Sequence, residues 1–303
     1  SVDKASQFAT RHGQAGPVVP YASPAELLDT DVEAVYVGAL HTAHKSLTLQ
    51  ALEQGKHVLC EKPLGVSAAE VATMRVAAAA NGVFLAEAMW TRYFPAMQHV
   101  RDVITAGDIG QVRSVHADFG LLVPPTATRM WEPALGGGAL LDLGVYPLSF
   151  VSWCFGGEAP CAVSTAGHLS STGVDEWAVL TLDYGNGAHA TVSTALTAAS
   201  PEEWCVNGTR GRIVVHGPGH TPSAVTVTTW GDGDPRGDAV DAVLEFPTSL
   251  QPLSSAELAS FTYPGSQGLA FQAQAVSTAI SDGLKEMPQV PLEESHMLAT
   301  IVD

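Results

Sequence analysis

The sequence has few charged residues, and most of them are acidic. Charged residues make up 15% of the chain, and 31 Asp and Glu against 14 Lys and Arg give a formal net charge of -17. A chain this acidic is poorly suited to neutralise the phosphates of a nucleic acid or to bind an anionic membrane surface. We therefore expect no nucleic acid and no membrane as partners.

Cysteine and long apolar runs are also scarce. The four cysteines are scattered, without Cys-x-x-Cys spacing, which argues against a disulfide framework and against a zinc site. We expect reduced, mostly buried thiols in a cytoplasmic protein. No apolar run approaches the ~20 residues of a membrane-spanning helix, and no signal peptide opens the chain.

What is present favours a well-packed α/β protein of two domains. The chain has 303 residues, of which 46% are hydrophobic, enough for two separate cores. In the first part, apolar β-branched runs alternate with helical patterns that begin at Ser-Pro-Ala-Glu and Ser-Ala-Ala-Glu capping boxes. Such alternation predicts a doubly wound parallel sheet over residues 1–88. Its strands are predicted at 32–38, 58–60 and 83–86, and its helices at 1–13, 40–54 and 67–81.

After Glu87 the pattern changes to short alternating runs broken by Gly, Asn and Pro. This change predicts a second, α+β domain over residues 89–303 with a large, mostly antiparallel open sheet. Helices are predicted at 94–106, 139–154 and 268–282, and residues 121–135 read as a long loop. Strands are predicted at 112–120, 162–167, 177–184, 188–196, 203–207, 212–216, 225–230 and 239–246.

One feature of a dinucleotide-binding domain is missing from the first part. Such a domain normally opens with a strand, a Gly-x-Gly-x-x-Gly turn and a helix. No strand precedes the helix predicted at residues 1–13. We expect the strand, the glycine-rich turn and the residue that selects NADP over NAD to lie before Ser1 in the complete protein.

The strand at 58–60 ends in Glu61-Lys62-Pro63. Ligands of open α/β sheets bind at the carboxyl ends of the strands. Pro63 removes a backbone donor and restricts Lys62 to an extended conformation, which fixes the direction of the lysine. The alternative is an ordinary surface lysine in a turn between a strand and a helix.

Asp142 and Tyr146 stand four residues apart on the helix that follows Gly136-Gly137-Gly138. This spacing places both side chains on one face of the helix, where each can pair with the other or with a ligand. The alternative is a surface Asp and a core Tyr. A phenol can donate a proton to a carbonyl or accept one from an alcohol, and a nearby ammonium, for which Lys62 is the candidate, lowers its pKa.

Four stretches carry a family resemblance. They are VYVGALHTAH at 35–44, CEKP at 60–63, EAMWTR at 87–92 and the stretch 136–146. In this order they resemble the Gfo/Idh/MocA oxidoreductases over nearly the whole chain. The likeness is greatest to the dimeric dihydrodiol dehydrogenases and their bacterial relatives, and glucose–fructose oxidoreductase is more distant.

The resemblance implies an NAD(P)-dependent oxidoreductase with Lys62, Tyr146 and Asp142 as catalytic residues. Tyr146 would be the acid/base, Lys62 its electrostatic partner, and Asp142 would bind a substrate hydroxyl. It also implies two further sets of residues. The substrate pocket would include Trp90, Arg129 and Phe119, and NADP or NAD would be bound by Gly38, Ala39, Leu40, His44, Glu61, Lys62, Trp90 and Arg92. Trp90, Arg129 and His44 also have simpler interpretations, as core packing, a solvated loop cation and a structural hydrogen-bonding group.

The implied reaction is hydride transfer between nicotinamide and a sugar, a sugar-derived carbonyl or a cyclic vicinal diol. The alternative is a non-catalytic sensor or regulator that binds a nucleotide or sugar on the same fold. The three implied catalytic residues favour the enzyme, because a sensor has no need of an acid/base pair. The family also implies a homodimer that forms through the open sheet.

Overall fold

The computed structural model describes residues 2–12, 18–231, 239–261 and 263–303. Its first part is a three-stranded sheet with strand order β1-β2-β3, and both strand pairs are parallel. The parallel sheet predicted from the alternating pattern is therefore confirmed. Its elements are α1 (Val2–His12), α2 (Pro24–Leu28), β1 (Ala34–Val37), α3 (His41–Glu53), β2 (His57–Glu61), α4 (Ala68–Asn81) and β3 (Leu85–Ala88).

Local sequence signals account for the helix ends in this part. The Ser67 side chain accepts a hydrogen bond from the Glu70 amide at 3.3 Å, and Ser23 accepts one from the Glu26 amide at 3.2 Å. These bonds satisfy amides that have no partner in the first turn of a helix. Gly82 ends α4 in the left-handed conformation, with φ of 63°. The predicted end of the first helix at Gly13 falls outside the described residues.

The second part is an eight-stranded sheet with strand order β11-β10-β9-β8-β4-β7-β6-β5. Every neighbouring pair is antiparallel except β4 and β7, which run parallel. The predicted mostly antiparallel sheet is therefore confirmed. Its elements are α5 (Pro95–Ala106), β4 (Val112–Gly120), α6 (Thr128–Trp131), α7 (Val145–Cys154), β5 (Ala162–Leu169), β6 (Asp175–Gly185), β7 (Ala188–Ala195), β8 (Trp204–Gly208), β9 (Gly211–Val215), β10 (Ala224–Trp230), β11 (Ala239–Glu245), α8 (Ser255–Leu258), α9 (Leu269–Ser281) and α10 (Leu292–Val302).

The helix α7 forms the centre of the large core. All ten of its residues are buried, and the helix packs against β4 and β7. The prediction that no apolar run reaches the length of a membrane-spanning helix is wrong. The helical stretch Pro133–Cys154 has 22 residues and passes that test by length and composition, and 72% of its most apolar window is buried inside the protein. A helix that is apolar on all sides is expected at the centre of a large core, which is where this one lies.

Three other details differ from the sequence prediction. The third strand is displaced to Leu85–Ala88, and residues 121–135 contain α6 and a 3-10 turn at Pro133–Leu135. The thiols of Cys60 and Cys154 are buried, but Cys161 is exposed and Cys205 half-buried. The strand is displaced because a short apolar run gives no sharp boundary.

The sequence prediction also missed α10, which returns to the first sheet. Leu292 packs in the core cluster of the parallel sheet together with Val71 of α4. The Asp303 carboxylate accepts a hydrogen bond from the Ala68 amide at 2.8 Å. The end of the chain, predicted as part of the second domain, thus packs across α4.

Candidate active site

A cleft of about 720 Å³ lies between the carboxyl edge of the parallel sheet and the large sheet. The three parallel strands end at this edge, so the residues that follow them meet there. The large sheet contributes Phe119 from β4 and the helical stretch with Asp142 and Tyr146. The cleft is lined by Ala39, His41, Glu61, Lys62, Trp90, Phe119, Leu121, Arg129, Asp142, Leu143, Tyr146, Glu202, Pro218, His220, Tyr263, Pro264 and Leu269.

Lys62 crosses the cleft to Asp142. Its Nζ donates to the Asp142 carbonyl oxygen at 2.6 Å and lies 3.2 Å from Asp142 Oδ1. Burial alone would lower the pKa of Lys62, but the Tyr146 and Asp142 oxygens outweigh it and raise that pKa above its ordinary value. Lys62 is therefore a permanent ammonium ion at neutral pH.

Asp142 is held by two more side chains. The Arg129 guanidinium binds both carboxylate oxygens, with Nη1 3.0 Å from Oδ1 and Nη2 3.1 Å from Oδ2. His41 Nε2 lies 3.5 Å from Oδ1. Burial would raise the pKa of Asp142, but Lys62, His41 and Arg129 together hold it well below its usual range. Asp142 is thus an ionised carboxylate that fixes the position of Lys62.

Tyr146 is buried in the wall of the cleft beside Lys62. The Trp90 indole donates a hydrogen bond to the phenol oxygen at 2.9 Å, and Lys62 Nζ lies 4.8 Å from the centre of the phenol ring. Burial raises the pKa of Tyr146, and this effect is larger than the opposing effects of Lys62 and of the Trp90 hydrogen bond. Lys62 acts in the direction expected from the sequence, but the net shift is upward, so the phenol is protonated at neutral pH.

Asp142 and Tyr146 do not bond to each other, although their spacing allowed it. A π-helical segment at Leu140–Gly144 precedes α7 and contains Asp142. Gly138, with φ of 120°, begins this stretch, and a Cβ at that residue would lie 2.2 Å from the Asp175 carboxylate. Asp175 Oδ2 accepts a hydrogen bond from the Leu140 amide at 2.7 Å. The glycine therefore lets Asp175 approach and cap the segment that carries Asp142.

Two protein-family models match this chain. Residues 2–89 match "Oxidoreductase family, NAD-binding Rossmann fold", and residues 97–214 match "GFO/IDH/MocA C-terminal domain". The trans-1,2-dihydrobenzene-1,2-diol dehydrogenase of Bos taurus is 37% identical over 305 residues, covering 100% of this chain and 84% of the bovine protein. The chain belongs to the Gfo/Idh/MocA family.

Solved structures of the Gfo/Idh/MocA fold agree with this conclusion. A 3-ketoreductase from Actinomadura kijaniata, solved in complex with NADP and TDP-benzene, has a TM-score of 0.78 and 26% identity, covering 100% of this chain and 85% of the ketoreductase. An aldose-aldose oxidoreductase from Caulobacter crescentus shares the fold, with a TM-score of 0.81 and 23% identity, and the same coverage of 100% and 85%. The protein is therefore a dehydrogenase or reductase with an NAD(P)-binding domain.

The cleft fits the nicotinamide end of such a cofactor. Its volume lies within the range of small-molecule sites, and Trp90 and Tyr263 provide flat aromatic walls near the Lys62 ammonium. A second cavity of about 500 Å³ shares Ala39 with the cleft and continues past Gly38 along β1. Of the residues that the resemblance assigns to the cofactor, Gly38, Ala39, Glu61, Lys62 and Trp90 line one or both of these cavities.

His44 and Leu40 lie beside the cleft rather than in its wall. The His44 ring is fully buried, with Nδ1 2.8 Å from the Pro63 carbonyl oxygen and Nε2 3.1 Å from the Ala39 carbonyl oxygen. Burial lowers the pKa of His44. The ring joins the turns that follow β1 and β2, which matches the simpler interpretation of this histidine. Leu40 is the N-cap residue of α3 and is 42% exposed.

Arg92, another predicted cofactor residue, does not line the cleft and is buried in the core. Its guanidinium is 1% exposed and pairs with the Glu294 carboxylate, at 2.8 Å to Oε2 and 2.6 Å to Oε1. It also donates to the Ser149 hydroxyl and carbonyl oxygens. Arg92 therefore joins the turn after β3 to α7 and α10, and we do not include it in the cofactor site.

Sequence reasoning missed several residues of the cleft. Glu202 and His220 line it together, and their side chains meet at 2.5 Å. Tyr263 lines it as well, and Tyr36, on β1, donates a hydrogen bond to Glu61. Glu202, His220 and Tyr263 belong to none of the four stretches that carry the resemblance, whereas Tyr36 lies in the first of them. The one local signal is Gly217-Pro218-Gly219 before His220. It predicts a tight turn but does not predict which side chains meet there.

Proposed function

We propose that this protein transfers hydride between NAD(P) and a sugar, a sugar-derived carbonyl or a cyclic vicinal diol. The observation that carries the proposal is the Lys62 ammonium, which is fixed by Asp142 and lies beside the Tyr146 phenol in the cleft. The bovine relative is a dihydrodiol dehydrogenase, and the Actinomadura relative is a 3-ketoreductase crystallised with a nucleotide-linked ligand.

In this mechanism Tyr146 is the acid/base and Lys62 assists it. A bound nicotinamide supplies or accepts the hydride. In the reductive direction the protonated phenol gives its proton to the carbonyl oxygen, and the Lys62 ammonium stabilises the phenolate that remains. In the oxidative direction Tyr146 takes the hydroxyl proton. Asp142 keeps Lys62 in position, and the Trp90 N–H orients the phenol oxygen.

A substrate screen on the complete protein tests the reaction class. We expect nicotinamide-dependent turnover of at least one aldose, ketose, osone or trans-dihydrodiol, measured with NADP(H) and NAD(H) in both directions by nicotinamide absorbance. Cofactor binding, measured by fluorescence titration, is the control. Binding of the cofactor without turnover of any compound would contradict the proposed enzyme and favour the sensor or regulator.

We also propose that the protein forms a homodimer through the open sheet. All eight residues of the edge strand β5 are exposed, and Trp177 on the neighbouring β6 is 37% exposed. An uncovered edge with a large apolar side chain favours association with another chain.

Light scattering at micromolar concentration should give twice the chain mass, and Trp177→Lys should shift the protein toward the monomer. A wild-type monomer under these conditions would contradict this assembly.

A further inference from the structure

The cleft contains an acid–histidine pair that the proposed mechanism does not use. His220 Nδ1 lies 2.5 Å from Glu202 Oε2. The imidazole ring stacks on Phe119 at 4.6 Å between ring centres, with an angle of 17° between the planes. Its centre lies 5.7 Å from that of the Tyr146 ring. The pair therefore faces the same region of the cleft as the acid/base.

The contact with Glu202 determines which nitrogen of His220 faces a ligand as an acceptor. An ionised carboxylate can only accept hydrogen bonds, so His220 Nδ1 must carry the proton that they share. In the neutral ring, Nε2 is then an acceptor. Among the described residues, no hydrogen-bond partner reaches Nε2, although the ring lines the cleft. In this form the pair presents one directed acceptor to a bound molecule.

The backbone around this pair is held in an unusual conformation. Glu202 has φ of 53°, which residues other than glycine rarely adopt. Its amide donates to Asp118 Oδ2 at 2.9 Å, and its carbonyl oxygen accepts from the Gly219 amide at 2.9 Å. Uncommon backbone conformations that the surroundings enforce are concentrated at functional sites. This conformation directs the Glu202 carboxylate toward the imidazole.

The loop that carries His220 is fixed from two further sides. The Thr91 hydroxyl donates to the His220 carbonyl oxygen at 2.7 Å. A Cβ at Gly219 would lie 2.5 Å from the Trp204 indole, so the loop can pack there only with glycine. These contacts join His220 to the turn after β3 and to β8. The imidazole therefore has a fixed position relative to Tyr146.

We propose that His220 Nε2 accepts a hydrogen bond from a substrate hydroxyl on the carbon next to the reacting carbon. The Glu202–His220 pair then selects polyols and vicinal diols over simple alcohols. This inference rests on the proposed function and deepens it. Tyr146 binds the reacting oxygen, and His220, on the same stretch of wall, binds the neighbouring one. A substrate without the second hydroxyl leaves Nε2 without a partner in a partly desolvated site.

The test compares two pairs of compounds that differ by one hydroxyl. They are trans-cyclohexane-1,2-diol against cyclohexanol, and D-glucose against 2-deoxy-D-glucose, each oxidised by the complete protein with NADP+ or NAD+. For any pair that is oxidised, we expect the wild-type kcat/KM to be higher for the compound that carries the additional hydroxyl. In His220→Phe, which keeps the ring stack on Phe119, this preference should fall about 10- to 100-fold. The loss should appear mainly as a higher KM for the compound that carries the additional hydroxyl.

Three further variants separate a binding contact from a structural one. His220→Gln retains an acceptor oxygen and should restore part of the preference. Glu202→Gln keeps an acceptor for the Nδ1 proton and should retain the preference, whereas Glu202→Leu should lose it. The matched control is His296→Phe on α10, at a histidine that does not line the cleft, and it should leave the ratio unchanged. Thermal unfolding of each variant checks the fold.

The outcomes distinguish this inference from the proposed function. If oxidation of a pair proceeds and His220→Phe leaves the ratio of the two kcat/KM values unchanged, the inference is wrong and the proposed function stands. If His220→Phe lowers both values of a pair equally, the residue has only a structural part, and the inference is also wrong. If neither pair nor any compound of the wider screen is oxidised or reduced, the proposed function itself fails.

Discussion

Replacing Tyr146 with phenylalanine is expected to lower kcat about 100-fold or more in both reaction directions, the usual scale for a positioned acid/base. The phenol is the proton source for the forming alcohol, and phenylalanine retains only its ring. Cofactor affinity, measured by fluorescence titration, should stay near the wild-type value. The loss therefore belongs to kcat rather than to binding.

The pH dependence of the wild type gives the same prediction a second measurement. Because burial raises the pKa of Tyr146, the proton-donating form persists through neutral pH. The reduction rate should therefore be flat there and fall only on the alkaline side, whereas the oxidation rate should rise with pH. The Tyr146→Phe variant should lose this rise.

A matched control for Tyr146→Phe is Tyr93→Phe. Tyr93 is buried one 3-10 turn beyond Trp90, does not line the cleft, and its hydroxyl has no hydrogen-bond partner among the described residues. Its replacement removes the same atom without touching the cleft, so turnover should stay at the wild-type level. Normal turnover by Tyr146→Phe would refute the assigned acid/base.

Lys62→Met is expected to lower kcat about 100-fold as well, since it removes the charge that stabilises the phenolate. The Lys62 ammonium lowers the pKa of Tyr146 against the effect of burial. Removing it should therefore move the pH at which oxidation is half-maximal upward. The pH–rate profile of oxidation measures both effects.

Lys45→Met is the control for that experiment. Lys45 is on α3, with a side chain that is 40% exposed and 3.9 Å from Glu70, so this variant loses the same charge away from the cleft. Its rate and pH profile should match the wild type. An unshifted profile in Lys62→Met, even with a slower rate, would mean that Lys62 does not act on the Tyr146 proton.

The residues that could be predicted from the sequence lie in patterns that are short and local. Lys62 follows an apolar strand directly, and ligands of open α/β sheets bind at the carboxyl ends of the strands. Asp142 and Tyr146 follow three glycines on one helix. Each pattern fixes a residue relative to its own element, and the parallel sheet then brings the elements together. For this reason the structure finds Lys62, Asp142 and Tyr146 in one cleft.

The rest depends on contacts between distant parts of the chain. Arg92 stands beside Trp90 in the sequence, but its partner Glu294 is 202 residues away, and only the packed core brings them together. Glu202 and His220 follow β7 and β9, and they meet because those connections reach the same end of the large sheet. Neither hydrophobic periodicity nor a helix-cap signal in the sequence predicts such a contact.

The direction of the Tyr146 pKa shift could not be predicted from the sequence either. The sequence indicates a nearby ammonium, which lowers the pKa of a phenol, but it does not give the depth at which the phenol lies. Tyr146 is 7% exposed, and the cost of a buried phenolate is larger than the gain from the ammonium. Burial is a property of the whole fold, so the net direction needed the structure.

The contacts of Asp142 have a consequence for how a substrate can enter. A carboxylate has about four acceptor positions, and here Oδ1 faces Lys62, Arg129 and His41 while Oδ2 faces Arg129. Oδ1 therefore has no free acceptor position, whereas Oδ2 accepts only from Arg129 and can take one further hydrogen bond. Lys62 and His41 have side chains 12% and 7% exposed, whereas that of Arg129 is 43% exposed. A hydroxyl can therefore bind Oδ2 beside the guanidinium. It can bind Oδ1 only in exchange for one of the three partners, of which Arg129 returns to water at the smallest desolvation cost.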